Sequence, residues 1–420
     1  MGLVKTPVKG MNDFLPRDME VRQHVLRVLR EVYTSFGYRE IETPALEHIE
    51  NLTGKMGGEN EKLIFQVMRR GASLARALEK GESLADSGLR YDLTLPLSRF
   101  FAQHSADLPA PFKAMQMAPV WRADQPQKGR FRQFIQCDID ILGDASNLAE
   151  IDLLCATSRA LSRVFEKTNL SAFTVHLNDR RILRAMALSA GFAEDALENV
   201  FISLDKLDKI GKEGVASDLV AQGFDKSAVD RYLAFFEGDR SSAVTFCRDL
   251  GTALEEGCAE NLDAIRTCAD ALCGKGMRFV FDPTLVRGMG YYTGPIFEIT
   301  LDGYNFSVAG GGRYDTMIGR FTGQSVPACG FSIGFERILT VLAEQGEKDA
   351  IPPAGGIAFL LDPKLDSAQK QRVFQTAAAR RDRGARVTVL PLKKNARFQI
   401  DRLLEDGYAD VLRVYPDTEL

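Results

Sequence analysis

The sequence predicts an α+β fold with a mostly antiparallel sheet, on the strength of three observations. Alternating apolar runs recur along the chain between loops and helices. Helical periodicity interrupts these runs between about Arg180 and Gly276, and a last stretch after a Pro/Gly-rich segment alternates strand-like and helical patterns. With 420 residues, 45% of them hydrophobic, the chain is long enough for two or three domains with their own cores.

The first predicted element is a long amphipathic helix from Met19 to Phe36. Its apolar residues recur at helical spacing, and Gly37 follows in the position of a C-cap. The next segment, YREIETPALE, has the composition of a strand, but Pro44 has no N–H to donate to a neighbouring strand. We therefore expect this strand to be interrupted at a sheet edge or at an interface.

Further alternating segments build the predicted sheet, and a second pattern predicts a small C-terminal domain. The sheet segments are PFKAMQMAPVWRA, RQFIQCDIDILG, FTVHL, RFVFD, YYTGPIFEITL and FSVAGGG. Near the end, GIAFLL, RVTVLP and DVLRVY alternate with two helical stretches, which is typical of a parallel α/β domain. We expect a core domain in two pieces (1–179 and 276–346), a helical insertion (180–275), a linker (347–355) and the small domain (356–420).

Composition narrows the class of protein. The net charge of −4 excludes a uniformly basic nucleic-acid coat but allows local basic patches. Seven cysteines without CxxC pairs, and four isolated histidines, predict neither a disulfide framework nor a protein-bound metal. No apolar run approaches the roughly 18 residues that span a bilayer, and the N-terminus has no signal-peptide pattern. We therefore expect a cytoplasmic protein with no membrane attachment.

The segment from Ala118 to Gly143 predicts two strands joined by a basic loop. Four cations fall within eleven residues, next to three carboxylates: Arg122, Lys128, Arg130 and Arg132 beside Asp124, Asp138 and Asp140. Such a mixed hairpin, taken alone, is more often a solvated face with salt bridges than a functional site.

Two arginines elsewhere favour a functional site. Arg287 lies in LVRGMGYYTG, and Arg337 lies in GFSIGFERIL, where Gly330 and Gly334 allow close backbone approach at a strand-to-helix turn. The sequence has no Walker-type GxxxxGK[ST] motif. Several guanidiniums without such a loop indicate a triphosphate held by arginine forks and a metal.

Seven motifs between Gly10 and Leu339 together resemble the histidyl-tRNA synthetases, a family of class II aminoacyl-tRNA synthetases. In order, they are GMNDFLP, GYREIETPALE, LRYDLTLPLSRF, VWRADQPQKGRFRQFIQCDIDILG, LVRGMGYYTG, GGGRYD and GFSIGFERIL. The resemblance implies a homodimer whose antiparallel sheet is flanked by helices and binds ATP, Mg²⁺ and histidine. It also implies formation of histidyl-adenylate and transfer of histidine to its tRNA.

The same resemblance assigns residues to ATP and to the tRNA. Arg122 is expected at the α-phosphate, and Phe134 and Arg337 are expected on the two sides of adenine, with Asp124 and Arg130 also binding ATP. Gln125 and Lys128 are expected to contact the acceptor end of the tRNA. Phosphate contacts from a lysine add affinity that weakens with salt.

The residues assigned to histidine by resemblance suit its functional groups. Asp92 and Gln136 match positions that hold the ammonium, and their carboxylate and amide oxygens can accept from it. Asp140 and Tyr292 match positions that bind the two imidazole nitrogens, with Tyr291 beside them. Arg287 is expected to be catalytic together with Arg122, because a fixed cation relieves the repulsion between the carboxylate of histidine and the α-phosphate.

The residues also allow plainer interpretations. Arg287 can form a buried ion pair with Asp282 or Glu298. Asp92 and Asp140 can be structural acids, and Tyr292 can be strand core.

Two features depart from the family pattern: Gly290 replaces an acid before the double tyrosine, and the last domain spans only 356–420. A shortened domain leads us to expect poor reading of the anticodon.

Two rival functions remain open at the level of sequence. One is a catalytically inactive paralogue that resembles the regulatory subunit of ATP phosphoribosyltransferase. The other is a ligase that adenylates histidine for a non-tRNA acceptor. The presence of Arg122, Arg287 and Arg337 disfavours the first rival, because a ligand sensor does not need the cations that form an adenylate.

Overall fold

The computed structural model describes residues 3–53, 62–126, 131–168, 170, 172–274, 276–287, 290–346 and 355–418. The chain forms two compact units. One comprises Met1–Asn12 and Arg27–Thr340, and the other comprises Asp13–Leu26 and Val341–Leu420.

The strands alternate with helices along most of the chain. The strands are β1 (Arg39–Glu40), β2 (Leu46–His48), β3 (Gln66–Met68), β4 (Ala85–Leu89), β5 (Phe112–Trp121), β6 (Gln133–Leu142), β7 (Phe173–Asp179), β8 (Met277–Phe281), β9 (Pro295–Leu301), β10 (Ser307–Arg313), β11 (Ala328–Gly334), β12 (Ile357–Leu361), β13 (Val387–Pro391) and β14 (Asp410–Val414). The α-helices are α1 (Pro16–Ser35), α2 (Ile49–Leu52), α3 (Gly71–Lys80), α4 (Thr94–His104), α5 (Leu148–Val164), α6 (Arg180–Ala190), α7 (Leu197–Leu204), α8 (Leu207–Ala221), α9 (Lys226–Phe235), α10 (Ala243–Phe246), α11 (Cys258–Cys273), α12 (Gly319–Thr322), α13 (Phe335–Glu344), α14 (Ser367–Asp382) and α15 (Ala396–Glu405).

Helix α1 begins three residues before the predicted start and ends at Ser35. Pro16 is accommodated as its first residue because a proline needs no N–H donor there. Gly37 follows with φ 86°, a conformation that favours glycine and that ends the helix as predicted. Leu29 and Tyr33 are fully buried.

The eight-stranded sheet has the order β1-β5-β6-β11-β10-β9-β7-β8. Its neighbours from β5 to β7 are antiparallel, and only the two edge pairs, β1–β5 and β7–β8, are parallel. Helices such as α5, which buries Leu153, Leu154 and Leu161, supply apolar side chains to the core. The prediction of an α+β fold with a mostly antiparallel sheet is confirmed.

Three details of the strands differ from the sequence-based expectation. The strand predicted from Tyr291 begins at Pro295, where pairing with β7 starts. A strand-to-helix turn was expected around Gly330 and Gly334, whereas both glycines lie in strand β11 and α13 begins directly after it. A small sheet, β2-β4-β3, was not predicted at all.

Glycines bring β10 and β11 together in the middle of the large sheet. A Cβ at Gly311 would overlap the backbone carbonyl of Gly330 and lie 2.7 Å from the Cα of Phe331. The triple glycine 310–312 lies within β10, as the segment FSVAGGG predicted, at a place where a side chain has no space.

Between β7 and β8 the chain is helical, from α6 through α11. Val215, Leu219, Val229 and Tyr232 are buried there, and they join α8 and α9 into a common core. The ring of Tyr232 packs edge-on against Phe236, with centroids 5.4 Å apart.

The second unit contains a parallel three-stranded sheet of order β13-β12-β14. Alternate residues of β12 face opposite sides, as a strand requires. Phe359 packs with Val373 of α14, whereas Leu360 packs with Leu403 of α15. The two helices thus cover opposite faces of this sheet. In the described part of the chain, no helix has both the length and the apolar character needed to cross a membrane.

Candidate active site

A cavity of about 650 Å³ lies against the large sheet. Every residue that the sequence assigns to ATP or histidine, and that the structure describes, lines it: Asp92, Arg122, Asp124, Phe134, Gln136, Asp140, Arg287, Tyr291, Tyr292 and Arg337. Gln125 does not line the cavity. Lys128 and Arg130 lie outside the described residues.

Strand β6 places a row of polar side chains on one face of the sheet. Gln136, Asp138 and Asp140 are alternate residues, so their side chains point the same way. Their antiparallel partners on β11 are Gly334, Ser332 and Gly330. A Cβ at Gly330 would overlap the carboxylate of Asp140, so this glycine provides the room that the carboxylate occupies.

Hydrogen bonds fix the members of this row. The amide of Gln136 donates to Asp138 at 3.2 Å and to the hydroxyl of Ser332 at 3.1 Å. The hydroxyl of Tyr314 donates to Asp140 at 2.5 Å. Asp92 accepts from the backbone N–H of Leu95 at 3.1 Å, at the start of α4. The polar groups are therefore oriented before any ligand arrives.

Burial makes this cavity costly for negative charge. It raises the pKa of Asp92, raises the pKa of Asp138 to about 7, and raises the pKa of Asp140 well above its usual range. Repulsion from Asp138 adds to the effect on Asp140. A cationic ligand would offset both effects by its attraction for the carboxylates, so the cavity suits an ammonium or an imidazolium group.

Asp138 gives a testable dependence of stability on pH. Because its pKa rises from 3.8 to about 7 on folding, the folded chain holds a proton that the unfolded chain releases. The contribution of Asp138 to stability should fall as the pH rises from about 4 to about 7, and then level off. Asp138→Asn should remove this loss, which amounts to at most about 4 kcal/mol. Denaturant unfolding of both proteins at pH 5 and pH 8 measures the difference, and parallel pH profiles would contradict it.

Arg122 is held between two aromatic rings. Its guanidinium carbon lies 4.2 Å from the ring centroid of Tyr91 and 5.1 Å from that of Phe134. It donates to the backbone carbonyl of Tyr91 at 3.1 Å and to Gln136 at 3.4 Å. Arg337 is anchored by the carbonyl of Ser307 at 2.7 Å. Both guanidiniums are thus fixed on the wall of the cavity, where they can bind an anion.

Arg287 forms an ion pair with Glu298, at 2.7 Å between Nη1 and Oε2. This is one of the plainer arrangements that the sequence allowed; Asp282 instead contacts His176 at 2.9 Å. The guanidinium has five N–H donors, so a single carboxylate does not use all of them. It also faces the cavity, in the space left by Gly310, where a Cβ would overlap it.

Tyr291, Tyr292 and Tyr314 form an aromatic part of the cavity lining. The rings of Tyr291 and Tyr292 have centroids 4.7 Å apart, and the ring of Tyr291 lies 6.0 Å from that of Tyr314. Burial raises the pKa of Tyr292, while the nearby Arg287 opposes that rise. Tyr292 therefore keeps its proton and can act as a hydrogen-bond donor.

A carboxylate from α7 approaches the glycine that replaces the family acid. A Cβ at Gly290 would lie 3.2 Å from Oε2 of Glu198. Glu198 also pairs with Arg180 at 3.0 Å. Glu198 therefore supplies a carboxylate near Gly290, although the glycine itself has none.

Several cavity residues were not predicted as site residues. They are Asp138, Asp205, Glu298, Tyr314, Ser332 and Glu336. The alternation Gln136, Asp138, Asp140 is a signal that could have identified Asp138. Asp205 follows α7 and has no such signal, because only the tertiary fold brings it to the cavity.

Comparisons with known proteins agree with the fold and with the motifs. Residues 10–338 match the family model described as histidyl-tRNA synthetase. A histidine–tRNA ligase of Leifsonia xyli subsp. xyli is 44% identical over 428 residues, covering 98% of this chain and 96% of the relative. One of Rhodopirellula baltica is 35% identical over 411 residues, covering 96% and 88%.

Solved structures show the same architecture. The crystal structure of histidyl-tRNA synthetase from Nostoc sp. PCC 7120 has a TM-score of 0.76 and 26% identity, covering 97% of this chain and 90% of that one. A Bacillus halodurans C protein titled ATP phosphoribosyltransferase regulatory subunit/histidyl-tRNA synthetase has a TM-score of 0.76, 19% identity and full coverage of both chains, which shows the fold alone. The family match and the identity to relatives over nearly the whole length go further: this chain belongs to the histidyl-tRNA synthetase family.

Proposed function

We propose that this chain is a histidine–tRNA ligase that uses ATP to form histidyl-adenylate and then transfers histidine to its tRNA. The observation that carries the proposal is one cavity that combines fixed arginines with a row of buried carboxyls. An anionic and a cationic substrate can both bind there. The names of the relatives, histidine–tRNA ligase, support the same activity.

In the proposed complex, ATP lies along the arginines. Arg122 binds the α-phosphate, while Phe134 and Arg337 hold adenine from its two sides. Asp124 is near the nucleotide, and Arg130 is assigned there by sequence. Hydrogen bonds already anchor the guanidiniums of Arg122 and Arg337. Little reorganisation energy is therefore needed when negative charge develops on the phosphate.

Mg²⁺ fits this cavity as an ion shared with the phosphates of ATP. Such an ion is usually held by one or two carboxylates plus the phosphates, so it needs no protein cage. The parts of the chain that the structure describes contain no cluster of three metal-ligating side chains. The cavity carboxylates Asp124 and Glu336 suit the role, and the bound ion would neutralise the leaving pyrophosphate.

Histidine occupies the carboxyl-rich side. Asp92 and Gln136 accept from its ammonium, while Asp140 and Tyr292 bind the two ring nitrogens. Tyr291 packs against Tyr292, and Tyr314 holds Asp140 in place. Asp138 carries negative charge above about pH 7, and near the ammonium its pKa would fall.

Arg287 acts between the two substrates. A carboxylate oxygen of histidine attacks the α-phosphorus, and the bond from that phosphorus to pyrophosphate breaks. Arg287 stabilises the charge that concentrates at the phosphorus, with Glu298 fixing its orientation. A carboxylate is already a nucleophile, so this step needs no general base.

The proposal extends to the assembly and to the tRNA. Gln125 and Lys128, in the loop between β5 and β6, contact the acceptor end. The chain is a homodimer in the cytoplasm, as the resemblance implies.

Two assays in sequence test the activity. Histidine-dependent ATP–pyrophosphate exchange should be observed with the full chain, and its absence would favour the inactive regulatory paralogue. Charging of histidine tRNA should follow. Robust exchange without charging of any tRNA would favour the ligase with a different acceptor.

Lys128→Ala should lower charging and leave exchange unchanged, because this lysine is assigned to tRNA phosphates and not to ATP. The loss of one phosphate contact should also make charging less sensitive to salt. Charging rates at two salt concentrations measure this effect. The matched control is Lys226→Ala, which removes an exposed lysine of α9. An equal fall in exchange and charging would contradict the assignment.

A further inference from the structure

Two cysteines form a close pair away from the proposed active site. Cys155 lies on α5, and Cys273 is the last residue of α11. Their sulfur atoms are 3.7 Å apart, and both residues are only partly buried. By contrast, Cys137, Cys247, Cys258 and Cys329 are buried. The pair is therefore close together and within reach of solvent.

A second cavity gives small molecules access to the pair. It has a volume of about 490 Å³, within the range of small-molecule sites, and both cysteines line it. Arg159 and Arg163 line the same cavity, together with one carboxylate, Glu31. Arg163 also pairs with Glu166 at 3.4 Å, so Arg159 supplies the cationic charge beside the thiols, which favours a small anionic reagent. None of these residues lines the active-site cavity.

The geometry of the pair allows a bond to form with a small movement. A disulfide has a sulfur–sulfur length of about 2.05 Å, so the atoms must approach by about 1.7 Å. Cys273 ends its helix and is followed by Gly274, with φ 79° and ψ −171°. A residue at a helix end next to glycine can shift without unwinding the helix.

We propose that Cys155 and Cys273 are a reversible thiol modification site that a small anionic disulfide, such as oxidised glutathione, converts to an intramolecular disulfide. In the first step, the thiolate of Cys273 attacks one sulfur of the reagent and releases one glutathione thiolate. In the second step, the thiolate of Cys155 attacks Sγ of Cys273 and releases the other. The two cysteines lose two protons and two electrons, and the reagent becomes two glutathione molecules.

The order of the two steps follows from the contact between the thiols. A hydrogen bond between them lowers the pKa of the Cys273 thiol and raises the pKa of the Cys155 thiol. Cys273 is therefore the first to be available as a thiolate, the form that attacks a disulfide.

The bond would tie together two helices that are distant in sequence. Helix α5 also carries Glu150, which forms a buried ion pair with Arg313 of β10 at 2.6 Å. Linking α11 to α5 therefore restrains a helix that is already anchored to the large sheet. This inference is independent of the proposed function.

Oxidised glutathione added to the folded, full-length protein provides the test. We expect the intact mass to fall by two hydrogen atoms, and digestion to give one peptide pair joined through Cys155 and Cys273. Dithiothreitol should reverse both changes. The oxidised protein should melt at a temperature higher by on the order of 5 °C.

Single substitutions separate the pair from other thiols. In Cys155→Ser the reaction should stop after the first step, with one glutathione bound to Cys273. Cys273→Ser should form no internal disulfide. Cys268→Ser, which changes the third partly exposed cysteine, should oxidise as the parent does. A bond through Cys268, a bond between two chains, or stable glutathione adducts on both cysteines of the parent would overturn the proposal. So would an unchanged mass after oxidation of the folded protein.

Discussion

Replacing Arg287 by alanine is expected to leave histidine binding largely intact and to slow adenylate formation by about 100- to 1000-fold. The charge matters most as the carboxylate of histidine and the α-phosphate meet, so the loss should fall on the rate of the chemical step. Histidine-dependent pyrophosphate exchange measures that rate, and equilibrium binding of histidine measures the affinity. Near-normal exchange in Arg287→Ala would remove the catalytic assignment.

The ion pair with Glu298 makes a matched control necessary. If Arg287 serves only this ion pair, Glu298→Gln should destabilise the fold about as much as Arg287→Ala. In that case, neither variant should change the rate of pyrophosphate exchange by the protein that remains folded. If Arg287 is catalytic, Glu298→Gln should retain much more exchange than Arg287→Ala, because the guanidinium remains. Thermal unfolding of both variants separates lost stability from lost catalysis.

Asp140→Ala is expected to weaken the binding of histidine far more than the binding of ATP. The imidazole ring would lose a partner, and an unmatched buried polar group costs on the order of 1 to 3 kcal/mol. Calorimetric titration with each substrate gives the two affinities.

Two further variants show whether the carboxyl group itself is responsible. Tyr314→Phe removes the hydroxyl that holds Asp140 but keeps the carboxyl, so histidine affinity should fall less than in Asp140→Ala. Asp140→Asn keeps the size of the side chain but cannot ionise, so histidine affinity should also fall if the carboxylate binds the ring. Equal losses of affinity for histidine and ATP in Asp140→Ala would instead assign Asp140 to the support of the fold.

The sequence predicts the long strands well because each has many alternating residues. The segments that became β5 and β6 were identified over all ten residues of each strand. Strand β11 was not among the predicted strand segments, since five of its seven residues are Ala, Cys, Ser or Gly and its hydrogen-bond partners come from distant segments. The three strands of the small sheet have three to five residues, which is too short for periodicity to show.

The candidate site was predictable where a motif contained its residues and not where the fold assembled them. Motifs with a family resemblance placed Asp92, Arg122 and Tyr292 among the residues that line one cavity. The contact between Tyr314 and Asp140 joins residues 174 positions apart, and no local pattern reports such a contact. The roles of these residues in catalysis and binding remain predictions.

The lack of space at Gly311 has a genetic consequence. A single-base change in a glycine codon that gives a different amino acid always introduces a side chain with a Cβ. That atom would meet the backbone of Gly330 and Phe331, which cannot move aside as the end of a flexible side chain can. Every missense allele at codon 311 should therefore be defective, and its revertants should restore glycine itself. A Cβ at position 310 would instead overlap the guanidinium of Arg287, so alleles at codon 310 should act by displacing the arginine that we propose as catalytic.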